Sequence, residues 1–136
     1  MTGAVALARA AQALVGCRFA LHGRNRETGF DCVGVLAASL AATGRQVCLP
    51  NGYTMRQTSA AIFAAQAARC GLVPAAGPAQ PGDVLLFKVG PCQFHLGIAG
   101  FEGGLVHAHA GLRRVVISAI PDDWAQAGHW RLPTPN

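Results

Sequence analysis

Gly82-Asp83-Val84-Leu85-Leu86-Phe87 is where the chain changes character. The run from Asp83 to Phe87 is short and apolar and predicts a buried strand. Downstream, His95 to Ala99, Leu105 to His109 and Val115 to Ile120 predict further strands separated by Gly and Pro, and His129 to Leu132 a last one before Pro133. Upstream the spacing is helical. Ala4 to Val15 predicts a helix ended by Gly16, and 16–30 a loop broken by Gly23, Asn25 and Gly29. After Asp31, the residues Val33, Leu36 and Leu40 recur at helical spacing until Gly44. Leu49-Pro50-Asn51-Gly52 is a turn cluster. Thr54 to Cys70 predicts a third helix with Met55, Ile62, Phe63 and Ala67 inward, and 74–82 a loop. Helices first and strands afterwards imply an α+β fold, with N-terminal helices packed on a C-terminal antiparallel sheet.

The chain has 136 residues and reads as one domain over 1–136. It is 51% apolar and 12% charged, the balance of a folded globule rather than a disordered segment. The net charge of +5 comes almost wholly from scattered arginines. With no basic run and no aromatic-basic interleaving, a nucleic-acid partner is not expected. No stretch reaches the roughly 18 apolar residues of a membrane span, so no membrane insertion is expected. The N-terminus lacks the basic start of a signal peptide, which implies synthesis in the cytoplasm without export. Five cysteines without a Cys-x-x-Cys pair argue against a disulfide framework and leave room for a reactive thiol.

Two positions point to chemistry. Asp31 is a natural N-cap, whose carboxylate can accept from free N–H groups of the first turn. Cys32 behind it would feel the positive end of the helix, which lowers a thiol pKa and favours the nucleophilic thiolate. A buried structural cysteine is the equally weighted alternative. His95 follows the loop 90–94 and could take the thiol proton; His107, twelve residues on, could orient it. A turn centred on Phe101 sets His95 opposite His107 on one face, whereas a tight turn at Glu102-Gly103 sets them on opposite faces. His109 shares a face with His107 and could line a cleft, or be an ordinary exposed strand residue. Cys92, His95, His107 and His109 form a competing zinc set, but with unfamiliar spacing and no use for Asp31-Cys32. No metal is expected.

Three blocks together resemble the NlpC-type cysteine peptidases, in particular the phage-type cell-wall peptidases of tail gene clusters. They are Gly16-Cys17-Arg18-Phe19-Ala20-Leu21-His22-Gly23 with Gly29-Phe30-Asp31-Cys32-Val33-Gly34; Pro81-Gly82-Asp83-Val84-Leu85 leading to His95-Leu96-Gly97-Ile98; and Val106-His107-Ala108. The resemblance implies a papain-like fold, Cys32 as nucleophile, His95 as base, His107 as its orienting residue, and no cofactor. It implies peptidoglycan stem peptide as substrate, cut between D-γ-glutamyl and a diamino acid. It also implies tail-hub or tail-tip proteins as partners, incorporation in a virion, and action in the periplasm of the target cell. Where relatives carry Tyr, this chain has Phe19, which cannot donate a hydrogen bond. Oxyanion stabilisation would then fall to backbone N–H groups near Cys32, with help from His22. A tail subunit with the same fold and no useful activity, or an amidase or acyltransferase on the same scaffold, are the alternatives.

Overall fold

The computed structural model describes residues 3–45 and 54–133. The turn cluster 49–52 lies outside the described residues. Three helices, α1 (Gly3–Gln12), α2 (Cys32–Ala42) and α3 (Ala61–Arg69), precede most of the strands. The strands are β1 (Arg24–Asn25), β2 (Gly29–Phe30), β3 (Val73–Pro74), β4 (Val84–Gly90), β5 (Gln93–Ala99), β6 (Leu105–His109), β7 (Arg114–Ser118) and β8 (Ala125–Arg131). β1 and β2 make a two-stranded hairpin; the others form an antiparallel six-stranded sheet in the order β3-β8-β4-β5-β6-β7. The fold is α+β, as the change of period implies.

α2 is apolar all round because it is buried on nearly every side, between α1 and the sheet. Val33, Leu36 and Leu40 pack with Leu7, Phe94, Leu96 and Ile98 in the main core. A smaller apolar cluster, Leu85, Phe87 and Leu105, covers the other sheet face, with Trp124 packed against it. No described helix is long and apolar enough to cross a membrane.

The last strand begins at Ala125 rather than His129, and Pro74 at the start of the expected loop belongs to β3. Two further segments beside the cleft also differ from expectation. The loop 16–30 contains the β1–β2 hairpin, and Phe19 bridges Phe30 beside it. The helix expected from Thr54 starts only at Ala61. Residues 55–57 instead lie along β5: Phe94 N–H donates to the Met55 carbonyl at 2.9 Å, and Gln57 N–H to the Cys92 carbonyl at 3.1 Å. The physical reason is the free edge of β5, because β6 pairs with β5 only at Ile98 and Ala99. Its vacant backbone groups satisfy a segment that would otherwise form the first turns of the helix. Phe63 and Ala67 still face inward, while Ile62 is exposed.

Candidate active site

The start of α2 is built by backbone contacts around one carboxylate. Asp31 is the N-cap in extended geometry; its Oδ1 accepts Gly34 N–H at 2.7 Å and its Oδ2 accepts His22 N–H at 2.8 Å. One side chain therefore caps the helix and ties the loop before it to the same point. Glycine is needed there. A methyl on Gly34 would collide with the Gly23 carbonyl oxygen, and one on Gly23 with that of Gly29. Cys32, the first residue of α2, is held in this corner with 7% exposure.

The histidines come from β5 and β6. Ile98 pairs with Val106 and Ala99 with Leu105, so the turn is centred on Glu102, one residue later than the Phe101 expected. The shift moves one strand by two positions, which preserves the face. His95 and His107 therefore meet on the diagonal rather than directly opposite. His95 Nε2 lies 2.8 Å from His107 Nδ1, with the rings edge to face. His107 Nε2 lies 2.9 Å from Ser118 Oγ on β7. Trp124 packs over both rings, at centroid distances of 5.1 Å to His95 and 5.7 Å to His107.

Sequence reasoning missed Ser118 and Trp124. Ser118 pairs with Leu105, two positions from His107 on the same face, which is visible only once the β6–β7 register is known. Trp124 arrives from the segment after β7, and no spacing rule marks it.

Cys32 and His95 open on one cleft of about 460 Å³, with Phe19, His22, Asp31 and Arg56 also in its walls. His107 sits behind His95. His109, expected as a possible cleft residue, is not in the wall, which at this point is Ala108 and Ala110. The His109 ring lies 5.8 Å from that of His107, and its Nδ1 accepts Leu112 N–H at 3.0 Å. His22 is exposed and adopts φ 59°; its backbone N–H, rather than its ring, makes the contact with Asp31. The Phe19 ring is half-buried against the core.

The electrostatics overturn one expectation. Burial, and secondarily the Asp31 carboxylate, push the Cys32 thiol up to about 12 rather than down. The backbone N–H groups of Leu96, Val33 and Cys32 favour the anion but do not outweigh desolvation. The positive end of the helix was thus only one influence among several, and Asp31 acts as a neighbouring charge as well as a cap. Burial, then the like charges of His107 and His109, lower His95 to about 4; burial, then His109, lower His107 to about 4. Near pH 7 thiol and imidazole are both neutral. The Leu96 bond puts the sulfur beside the residue next to His95, and the same three N–H groups are candidate donors to an oxyanion.

The zinc set is not assembled. Cys92 is exposed in the turn between β4 and β5, and both nitrogens of His107 are engaged by His95 and Ser118. Among the described residues no group of three or more His, Cys, Asp or Glu is placed to hold a metal ion.

No protein-family model and no curated protein matches the chain. Solved structures do. NlpC1 from Trichomonas vaginalis matches with a TM-score of 0.72 and 17% identity over 98% of this chain, which spans 45% of that protein. The NlpC/p60 domain of the peptidoglycan hydrolase SagA matches with a TM-score of 0.64 and 22% identity, covering 93% of this chain and 97% of that domain. An N-acetylmuramoyl-L-alanine amidase from Bacteroides uniformis matches with a TM-score of 0.65 and 11% identity, covering 97% of this chain and 99% of that one. The chain therefore shares the papain-like fold of the NlpC/P60 structures.

Proposed function

We propose that this protein is an NlpC-type cysteine endopeptidase that hydrolyses stem-peptide bonds of bacterial peptidoglycan, with residues 1–136 as one catalytic domain. The observation that carries the reading is that Cys32 and His95 both line one cleft, with His107 2.8 Å behind His95. In this reading the substrate carbonyl carbon is presented to the sulfur. The thiol proton moves to His95 as the S–C bond forms, and backbone N–H groups receive the oxyanion. His95 returns the proton to the leaving amine, giving a thioester. Water, deprotonated by His95, then releases the acid and restores the thiol.

The polarity of the cleft supports an acidic peptide. Both Asp31 oxygens are taken up by backbone N–H groups, whereas Arg56 on the rim is exposed and in no ion pair among the described residues. A guanidinium placed there suits the free carboxylates of a stem peptide. The motif blocks at 16–34, 81–98 and 106–108 further support a place at a phage tail tip, among hub proteins, where the enzyme would open the wall from the periplasm of the target cell.

Purified protein incubated with peptidoglycan, with the products resolved by mass, tests the activity. New stem-peptide fragments are expected, and Cys32→Ala should abolish them; equal turnover by the variant would sink the assignment. Mass spectrometry of purified particles tests tail membership separately, and absence there would leave the hydrolase reading standing. Two observations favour an inactive tail subunit as the second reading: Phe19 offers no hydroxyl, and burial keeps Cys32 protonated. The amidase among the fold's neighbours supports a different acyl group, and release of stem peptide from muramic acid would identify it.

A further inference from the structure

Ser118 ends a hydrogen-bonded chain that starts at His95. Its Oγ lies 2.9 Å from His107 Nε2 and 3.3 Å from the Ala119 carbonyl oxygen, while His107 Nδ1 lies 2.8 Å from His95 Nε2. A neutral imidazole has one N–H and one bare nitrogen, so the bond made by one nitrogen decides the state of the other. Two fillings follow. In the first, His95 Nε2–H donates to His107 Nδ1, His107 Nε2–H donates to Ser118 Oγ, and the Ser118 hydroxyl donates to the Ala119 carbonyl. His95 Nδ1 is then bare. In the second, every proton is reversed: Ser118 donates to His107 Nε2, His107 Nδ1–H donates to His95 Nε2, and the remaining His95 proton sits on Nδ1.

We propose that Ser118 is a positioning residue that selects the first filling and so leaves His95 Nδ1 free to accept the thiol proton. The selecting group is the Ala119 carbonyl, which can only accept. The reversed filling would turn an oxygen lone pair of Ser118 toward it at 3.3 Å. Trp124 packs on both rings and hinders solvent from offering other partners. The consequence for rate rests on the reading of Cys32 and His95 as nucleophile and base; the tautomer is a property of the resting protein.

The test is long-range ¹H–¹⁵N NMR of the histidine rings in ¹⁵N-labelled protein at pH 7. His95 and His107 are both expected as the Nε2–H tautomer. Ser118→Ala should redistribute the tautomers of both rings. It should also lower kcat on a purified stem tetrapeptide by about five- to ten-fold at unchanged KM, the size of one lost neutral hydrogen bond. Ser118→Thr, which keeps the hydroxyl, should recover most of the loss and the original tautomers. His95 found as Nδ1–H in the wild type, or tautomers unmoved in Ser118→Ala, would overturn the proposal. If the alanine variant does not fold, the wild-type and threonine spectra still decide. The expected tautomers without any hydrolysis would refute the hydrolase reading and leave this inference intact.

Discussion

Cys32 carries opposing influences, and their sum sets its behaviour. The three N–H groups around the sulfur stabilise an anion, while burial and Asp31 destabilise it by more. The free protein should therefore alkylate slowly at this position. With iodoacetamide at pH 7, exposed Cys92 is expected to react before Cys32, and Cys32 only as the pH climbs; mass mapping of the modified peptides checks this. If Cys32 labels fastest at pH 6, the resting pair is ionised and burial does not control the thiol. His95, as the proposed base, gives a second expectation. With His95 held near 4, the acidic limb of kcat/KM should centre there rather than near the ordinary 6.5. Asp31 and Cys32 could be picked out of the sequence because cap and thiol are adjacent. The sign of the thiol shift could not, because desolvation depends on what packs over the sulfur.

The first turn of α2 works as a unit. Asp31 caps it, and Gly34 lets it approach the Gly23 carbonyl. Gly34→Ala should cost at least about 2 kcal/mol, since the obstacle is a backbone oxygen rather than a flexible side chain. It should also displace Cys32 and so reduce turnover by more than the lost stability explains. Urea midpoints read beside activity separate the two effects. The helix itself was legible because Val33, Leu36 and Leu40 hold one period from cap to Gly44. The segment 54–60 misled for the opposite reason. Its composition permits a helix, but the unpaired edge of β5 offered its backbone a better set of partners.

A buried cluster away from the cleft joins the edges of the sheet's central strands. Asp83, fully buried ahead of β4, accepts from His129 at 2.6 Å and from Arg131 at 2.7 and 2.8 Å, both on β8. Burial would raise its carboxyl, but bonds from Arg131, Gln80 N–H and His129 outweigh it and hold the pKa below the ordinary 3.8. A lowered carboxyl pKa means that the unfolded chain binds the proton first. This contribution is whole above about pH 4 and is lost as pH falls further. The lowered His95 and His107 act in the same direction over a higher window: the unfolded chain takes up their protons first, so stability falls as pH drops from about 6.5 to about 4. Asp83→Asn should cost about 3 kcal/mol at pH 7 and flatten the dependence below pH 4, as denaturant midpoints across pH would show.

Local order in the chain was enough for the α+β class, the helix behind Asp31 and most strand positions. Cap residues, apolar spacing and turn glycines act between neighbours and leave their mark in the linear order. Partnerships across elements lie elsewhere. Ser118 and Trp124 join the histidines, residues 55–57 lie on β5, and the Cys32 thiol stays protonated through contacts between segments far apart in the chain. Register, burial and dielectric are properties of the assembled core, so these features appear only when the strands are in place.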